Sequence, residues 1–383
     1  MIILISDNNL HLNFRPLTLT RPICELRFGI NTIKETWVNL FTQQSKSVST
    51  FYKTEAYLSE KHESTDNYDF LIAGNVKPNN NIIKHILNLQ NNQALYCNNN
   101  WIATKGHRED SKVDIIDDSA LILSNVWDLF QLNDKALQLD FDIITNGRTS
   151  QKLSTTNGVI NPENIFLEEG AKAEFTILNA SNGPIYIGKD AEIMEGSMIK
   201  GGFALLENAT VKMGAKIYGA TTIGPHCKVG GEISNCILQA YSNKGHDGFI
   251  GNSIIGEWCN LGADTNSSNL KNNYGNLKIY SYKTKQLEQT DNLFCGVLMG
   301  DHSKTGINTM LNTATTIGVN ANVFGAQFPP KYISSYNWGG FENSPVYNLD
   351  KAYEVAENMM KRRHLSLSEA DKKILKHIAD HNL

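Results

Sequence analysis

Residues 187–229 read IGKDAEIMEGSMIKGGFALLENATVKMGAKIYGATTIGPHCKV, with an aliphatic side chain at every sixth position. The repeat passes without a miss through Ile187, Ile193, Ile199, Leu205, Val211, Ile217, Ile223 and Val229. A period of six fits neither an α-helix nor an alternating strand, which repeat every 3.6 and every two residues. It is typical of a β-helix, in which each short strand forms one side of a triangular coil and points its aliphatic residue inward. We therefore expect these eight side chains in the core of a β-helix.

The repeat continues beyond residue 229 in two shorter runs. One consists of Phe249, Ile255 and Leu261, and the other of Met299, Thr305, Leu311, Ile317 and Val323. The register breaks over 230–248 and again over 262–298. Because insertions into a solenoid usually map to loops on a binding face, both breaks are candidate sites.

Glycine divides the chain into regions of different composition. Of the 29 glycines, 23 lie between Gly158 and Gly325. We predict an α/β domain over 1–150, a β-helix over 151–330 and a helical segment over 331–383. In the first region, apolar patterns predict strands at 2–5, 68–74 and 94–97 and helices at 30–41, 81–89 and within 127–143. This alternation favours a Rossmann-like layer with a partly parallel sheet. The last region predicts a helix over 349–364 and, after a capping box from Ser366 to Glu369, a second helix ending near His381.

Composition excludes several classes of protein. A net charge of −4 gives no electrostatic reason to expect nucleic acid or a membrane surface as a partner. The apolar run at the N-terminus is too short for a signal sequence or a spanning helix. The six cysteines are scattered without a CxxC pair, which indicates reduced packing residues in a cytoplasmic protein and no zinc site.

The stretch FRPLTLTRPICEL, residues 14–26, follows the first strand and resembles the sugar nucleotidyltransferases. In that family the strand leads into a Gly-rich loop with an Arg, then Arg-Pro-Leu-Thr, then Pro-Lys. The resemblance implies sugar-phosphate or nucleotide binding by Arg15 and Arg21, and Mg²⁺ if the domain is active. Here the loop 6–13 has no glycine, Asn13 replaces the loop Arg and Ile23 replaces the Lys. Arg21 or Arg27 could compensate, and Asp7 could help hold a metal; the sequence assigns no other metal ligand.

The stretch YSNKGHDGFIG, residues 241–251, resembles the acetyltransferase half of the bifunctional enzymes that make UDP-N-acetylglucosamine from glucosamine-1-phosphate. The resemblance places His246 as the catalytic base and Asn269 beside it. It implies substrate binding by Lys244, Phe249, Asn260 and Lys271, and binding of acetyl-CoA by Gly262, Ala263 and Gly325. It also implies a left-handed β-helix and a homotrimer with sites between neighbouring chains. Phe249 and Asp264 replace a Tyr and a Gly of the family, so the acceptor could differ.

The residues themselves suit this chemistry. Acetyl transfer to an amine needs a base near pH 7, which a neutral His supplies, and N–H donors for the oxyanion, which Gly-rich corners supply. An amide such as Asn269 can orient a sugar, and Lys244 or Lys271 can meet a phosphate. Several alternatives stay open at this point. A loop His is often structural, His302 competes with His246, and Asn266, Asn272 and Asn273 could simply build turns. The basic run Lys361, Arg362 and Arg363 either complements a helix dipole or binds an anion.

Taken over the whole chain, the order of domains resembles a variant of that bifunctional enzyme. It predicts a cytoplasmic transferase that uses sugar phosphates and nucleotide sugars. Two other functions remain: a sugar-1-phosphate nucleotidyltransferase alone, or a non-catalytic regulatory protein that binds nucleotide sugars on a retired enzyme scaffold.

Overall fold

A computed structural model describes residues 1–44, 47–341 and 343–383. The N-terminal domain is built on a six-stranded mixed sheet with the strand order Ser49–Lys53, Ile2–Ser6, Phe70–Ala73, Asn100–Lys105, Gln93–Cys97 and Ser111–Ile115. The first three strands are parallel, as the alternating pattern predicts, and Asn100–Lys105 is antiparallel to both of its neighbours. Two short strands, Val76–Lys77 and Leu121–Ile122, pair beside this sheet.

Four helices complete the domain: α1 (Ile33–Gln44), α2 (Asn80–Leu87), α3 (Asp128–Gln131) and α4 (Asn133–Thr145). Short 3₁₀ turns lie at His11–Phe14, Leu17–Leu19, Ile23–Glu25 and Ala56–Leu58. The apolar face predicted for α1 is confirmed, since Trp37 and Phe41 are fully buried and their rings stack with centroids 5.7 Å apart. The six cysteines are all buried and unbridged, as expected for packing residues.

The middle of the chain is a left-handed parallel β-solenoid with three faces. Face 1 consists of Ile165–Leu167, Ile185–Ile187, Phe203–Leu205, Thr221–Ile223, Ile237–Leu238, Ile254–Ile255, Leu298–Met299, Thr316–Ile317 and Tyr332–Ile333. Face 2 consists of Lys172–Ala173, Glu192–Ile193, Thr210–Val211, Lys228–Val229, Asn243–Lys244, Asn260–Leu261, Lys304–Thr305, Asn322–Val323 and Trp338–Gly339. Face 3 consists of Gly158–Ile160, Ile177–Asn179, Met198–Lys200, Lys216–Tyr218, Glu232–Ser234, Phe249–Gly251, Asn266–Ser267 and Met310–Leu311.

The period-six residues fill the solenoid core. The eight aliphatic residues that repeat every six positions between Ile187 and Val229 are each at most 1% exposed. We name the turns from face 1 to face 2 the first corner (224–227, 239–242, 256–259 and 300–303). The turns from face 2 to face 3 are the second corner (230–231, 245–248, 262–265 and 306–309). The solenoid strands extend to Gly339, beyond the domain boundary expected at residue 330.

The break expected over 230–248 is wrong, because the solenoid continues through it. The strands Glu232–Ser234, Ile237–Leu238 and Asn243–Lys244 occupy this stretch and pair with their neighbours in each face. The inward positions pass from Val229 to Ile233 and then Leu238, so the corners here are shortened by one or two residues. Shorter corners shift the phase of the repeat without ending the coil.

The second break is a true insertion, and it contains the hairpin Lys278–Ser281 and Gln286–Gln289. The hairpin packs against the N-terminal domain, because Leu277 and Ile279 are buried in the same cluster as the core of that domain. It therefore connects the two domains and lies away from the second corner.

Two parts of the solenoid surface are covered by other parts of the chain. Face 1 carries the N-terminal domain, whose core includes Ile237 and Ile254 of this face. The C-terminal helices α5 (Leu349–Lys361) and α6 (Glu369–Asp380) cover the first corner, where Trp258 packs with Ala356 and Ile374. The capping box of α6 joins Ser368 to Asp371, two residues later than expected. In the described part of the chain, no helix is long and apolar enough to cross a membrane.

Candidate functional site

The second corner carries an open cavity around His246. The cavity has a volume of ≈ 330 Å³ and includes Lys212, His246, Asp247 and Ala263 in its lining. The His246 side chain is exposed, and the backbone of the flanking glycines forms the floor. His246 and Ala263 are therefore brought together as the sequence predicts, and Gly262 immediately precedes Ala263 on the adjacent coil.

The glycines of this corner are required by close stacking of the coils. Gly248 has φ +112°, and a Cβ there would lie 2.3 Å from the carbonyl oxygen of Thr265 on the next coil. Gly231 has φ +75° and would place a Cβ 2.7 Å from the carbonyl oxygen of Gly248. Any side chain at either position would push the coils apart. The glycines thus permit the positive φ angles and the close stacking of coils at the His246 turn.

Lys244, predicted to bind substrate, does not line the His246 cavity. Its side chain takes an inward position and is 0% exposed. The ammonium group donates hydrogen bonds to the carbonyl oxygens of His246 (2.5 Å) and Asp247 (2.9 Å) from below the corner. Burial lowers the pKa of Lys244 to about 8. Lys244 therefore stabilises the backbone of the His246 turn through hydrogen bonds. The ammonium group that lines the cavity belongs to Lys212.

Asn260 lies on face 2 and lines a different cavity from His246. Its Oδ1 accepts a hydrogen bond of 2.8 Å from Nδ2 of Asn243 on the neighbouring coil. Both amides line a second cavity, between face 2 and α5, and not the cavity at the second corner. The sequence predicted Asn260 and His246 in one site, whereas the structure puts them in two.

Phe249 and Asn269 lie together along face 3. Phe249 does not point inward as its place in the repeat suggested, because Ile250 is the fully buried residue of that strand. The Phe249 ring and the Asn269 amide flank Gly251 from two sides, and Asn269 donates to Oδ1 of Asn252 at 2.8 Å. Both side chains are partly exposed and follow the His246 corner onto the next face.

Two further predicted residues lie apart from His246. Lys271 is at the root of the insertion and donates to the carbonyl oxygen of Asn276 at 2.5 Å. Gly325 is two coils beyond Gly262 on the same edge, about 10 Å away at the usual strand spacing. It has φ +135°, and a Cβ there would lie 2.6 Å from the Phe341 ring.

Arg21 is a contact between domains and is not free to bind substrate. Its guanidinium group pairs with Glu257 at 2.5 Å and with Asp301, both on the solenoid. Thr20 donates to the same Asp301 carboxylate at 2.7 Å. The two carboxylates hold the pKa of this buried Arg21 above its usual value. Arg27 is also engaged, since its backbone and side chain donate to Gln239.

Arg15 is differently placed, at the edge of a cavity of ≈ 500 Å³ between the N-terminal loop and the insertion hairpin. Asn13, Tyr282 and Lys283 share that cavity. The Nε atom of Arg15 is buried and has no hydrogen-bond partner among the described residues. This arginine is therefore the N-terminal candidate that keeps hydrogen-bonding capacity for a ligand.

The loop after the first strand replaces glycine with asparagine. Asn8 and Asn9 have φ values of +50° and +59°, a conformation that asparagine tolerates better than most residues. Asp7 does not fit a metal ligand, because its carboxylate oxygens accept bonds from the Ile23 amide (2.8 Å) and the Thr54 hydroxyl (2.5 Å). Burial raises the pKa of Asp7 to about 6, and the described ranges hold no group of three potential metal ligands. The residues present do not fit the Mg²⁺ site that the resemblance implies.

His302, the competing histidine, is buried at the first corner. It is 7% exposed, and its Nδ1 has no hydrogen-bond partner in the described structure. Burial lowers its pKa to about 3. A histidine that stays neutral and covered cannot exchange protons with a substrate at the second corner.

We expect His302 to make stability depend on pH. Because its folded pKa lies below the unfolded value of 6.5, its neutral form stabilises the fold above pH 6.5, and this contribution is lost as the pH falls towards 3. Between pH 6.5 and 5 the loss should be about 2 kcal/mol. Urea unfolding of the wild type and of His302→Leu at both pH values checks this. Equal pH dependence in the two proteins would contradict it.

Sequence reasoning missed a stack of rings at the first corner. His226, Tyr241, Trp258 and His302 occupy the same place in four successive coils, each with φ between +55° and +59°. Successive ring centroids are 4.9, 4.2 and 6.4 Å apart. Aligning the corners coil by coil would reveal the stack, because each ring is the third residue after its face 1 strand.

Comparison with known proteins supports the two-part organisation. Residues 2–149 match the family model described as sugar nucleotidyl transferase. The chain thus joins a nucleotidyltransferase-like domain to a left-handed β-solenoid of hexapeptide type.

Among curated proteins the chain is similar to the bifunctional protein GlmU of Methanocaldococcus jannaschii, with 35% identity over 89 residues, 23% of this chain and 21% of that protein. It is 22% identical to GlmU of Cyanothece over 247 residues, 58% of this chain and 50% of that protein. The chain spans half or less of the length of these relatives. Among solved structures, Arabidopsis UDP-N-acetylglucosamine acyltransferase matches 60% of this chain and 90% of its own, at 14% identity and a TM-score of 0.28. A likeness this slight bears on neither activity nor substrate.

Proposed function

We propose that the solenoid transfers an acetyl group from acetyl-CoA to an amino-sugar phosphate at the second corner, with His246 as general base. The observation that carries the proposal is the exposed His246 imidazole above a floor of glycine backbone, in a cavity that also contains Lys212. The lining thus offers an imidazole, glycine backbone and an ammonium group, and amide formation on a phosphorylated sugar needs a base, N–H donors and a cation.

In the proposed reaction the sugar amine attacks the thioester carbonyl carbon, and His246 takes the amine proton as the C–N bond forms. The carbonyl oxygen becomes an oxyanion, which N–H groups of the corner stabilise. The C–S bond then breaks, and the CoA sulfur leaves with the proton that His246 took up. Phe249 and Asn269 lie beside the corner on face 3, where they would position the sugar. Lys212 takes the phosphate-binding role that buried Lys244 cannot perform.

The cavity at His246 is open, and a neighbouring chain would close it. Face 3 and the second corner expose a ribbon of large apolar side chains. The apolar ribbon consists of Ile160, Phe175, Ile177, Met198, Met213, Tyr218, Ile307, Met310 and Phe324, each at least 37% exposed. Isolated apolar residues are normal on a surface, but clusters of them mark an interaction site, and these residues lie in two groups on either side of the three coils around His246. We propose that the apolar ribbon is the contact between chains in a homotrimer.

Charges in the apolar ribbon should dissociate the trimer. In the variant Phe175→Glu/Ile307→Glu, two exposed positions of the second corner (65% and 72%) would bring buried, unpaired carboxylates into the contact. We expect light scattering after size exclusion to show three copies for the wild type and one for this variant. Ile116→Glu, at an 86% exposed site of the N-terminal domain, is the control and should stay trimeric. A monomeric wild type, or a trimeric variant, would refute the assignment.

The acetyl-transfer proposal is tested by the release of CoA thiol. Purified protein is supplied with acetyl-CoA and, in separate reactions, glucosamine-1-phosphate and other amino-sugar phosphates. Thiol that appears only with an amino sugar supports the proposal, and no thiol with any acceptor overturns it. The cytoplasmic location stays a prediction.

A second candidate function is nucleotidyl transfer by the N-terminal domain. It is favoured by the family match over 2–149 and by the cavity beside Arg15. The check is release of pyrophosphate from a nucleoside triphosphate and a sugar-1-phosphate, and its sensitivity to Arg15→Gln. If both reactions are absent and UDP-sugars still raise the melting temperature, the chain is a binding protein.

A further inference from the structure

A second cavity of the solenoid lies between face 2, the first corner and helix α5. Its volume is ≈ 490 Å³, and its lining includes Lys228, Lys304, Tyr241 and Trp258 from the solenoid. Arg362 and Arg363, which directly follow helix α5, complete the lining. The His246 cavity shares none of these residues, so face 2 separates two independent sites.

One wall of this cavity is aromatic and apolar. Tyr241 and Trp258 stack nearly parallel, 4.2 Å apart, in the left-handed corner conformation. Val355 and Met359 of α5 face them across the cavity. A flat ring can pack against such a wall by dispersion and aromatic contact. The corner geometry fixes the wall, so little order is lost when a ligand binds.

The other wall carries four cationic side chains, and none of them is in a close ion pair in the described structure. Throughout residues 1–44, 47–341 and 343–383, no carboxylate forms an ion pair within 4.0 Å of Lys228, Lys304, Arg362 or Arg363. The Lys304 ammonium donates to the carbonyl oxygen of His302, at 2.7 Å. The pKa of Lys228 is lowered mainly by burial and, to a smaller extent, by the positive charge of Arg363. Repulsion among these cations disfavours the empty site and favours an anion in it.

We propose that this cavity binds a nucleoside phosphate. The phosphates would meet Arg362, Arg363 and Lys228, because guanidinium groups bind phosphate oxygens through paired, charge-assisted hydrogen bonds. The base would lie against the wall formed by Tyr241 and Trp258. The Asn243 and Asn260 amides, which also line the cavity, offer donors and acceptors to the base or ribose. The site does not depend on acetyl transfer at His246.

The ligand chemistry has more than one source, since a nucleoside phosphate occurs free, in a nucleotide sugar and in coenzyme A. Titration calorimetry with ADP, UDP, UDP-N-acetylglucosamine, coenzyme A and pyrophosphate distinguishes these sources. We expect at least one nucleotide-containing ligand to bind at least tenfold more tightly than pyrophosphate. Equal binding of pyrophosphate, or no binding of any nucleotide, would overturn the proposal.

Variants test whether Arg362 and Arg363 bind the nucleotide or only complement the dipole of helix α5. Arg362→Gln/Arg363→Gln should weaken the nucleotide at least tenfold, while Lys361→Gln, at the same helix end but outside the cavity, should change the affinity less than twofold. The binding that depends on Arg362 and Arg363 should persist in Arg15→Gln and in His246→Ala, because these changes alter the other two cavities, which have their own proposed ligands. An affinity that survives the double arginine change would refute the site. Losses in His246→Ala alone would place the nucleotide at the second corner and also refute it.

Discussion

Replacing His246 with alanine should lower the rate of acetyl transfer by roughly 10²- to 10⁴-fold, the usual contribution of a general base. The imidazole is exposed in its cavity, and the glycines and Lys244 hold the turn from below. The substitution therefore removes the base without disturbing the coil. We expect kcat to fall while the melting temperature stays within a degree or two.

The measurement is initial thiol release with saturating acetyl-CoA. His107→Ala, an exposed histidine of the N-terminal domain, is the matched control and should retain full activity. Full turnover by the His246 variant would exclude this residue as the base.

The largest loss of stability should follow from Asp140→Asn in the N-terminal domain. Asp140 and Lys77 form an ion pair at 2.8 Å in which both side chains are 0% exposed. The same Asp140 oxygen accepts bonds from the backbone amides of Ile30 (2.7 Å) and Asn31 (2.9 Å). Removing one charge leaves the Lys77 ammonium buried and unpaired, which costs about 3–5 kcal/mol.

Urea unfolding followed by tryptophan fluorescence would report this loss, since Trp37 is buried in the same domain. An exposed pair provides the control, since Lys373→Gln breaks its contact with Glu60 at 64% and 53% exposure and should cost less than about 1 kcal/mol. Adding Lys77→Met to Asp140→Asn should recover part of the loss, because it removes the unpaired ammonium. A cost under 1 kcal/mol for Asp140→Asn would show that the pair contributes little.

Side chains predicted from one motif divide between separate sites because a solenoid has three faces. His246, Asn260 and Asn269 are close in sequence, yet they occupy the second corner, face 2 and the far end of face 3. The prediction from their spacing assumed that a break in the period-six repeat brings these three residues together in one loop. The chain instead continues its coil with shortened corners, so each residue keeps the direction of its own face.

The sequence by itself determined the solenoid, the mixed α/β domain and the terminal helices. A period of six along the chain is a local property, and each repeat places its aliphatic residue on the core side regardless of distant contacts. The motif around Arg15 likewise indicated the domain type that the family match supports. The exposed His246 corner followed from its glycines, which the stacking of adjacent coils requires.

Only the tertiary structure decided which charged residues remain available. Lys244 and Arg21 carry the right charge for a phosphate, but one lies inside the coil and the other pairs with Glu257 and Asp301, which are more than 230 residues away. Likewise, α5 brings Arg362 and Arg363 against rings from the first corner. Sequence patterns report the direction of a side chain along its own strand or helix, whereas ion pairing and burial depend on which surfaces pack together in three dimensions.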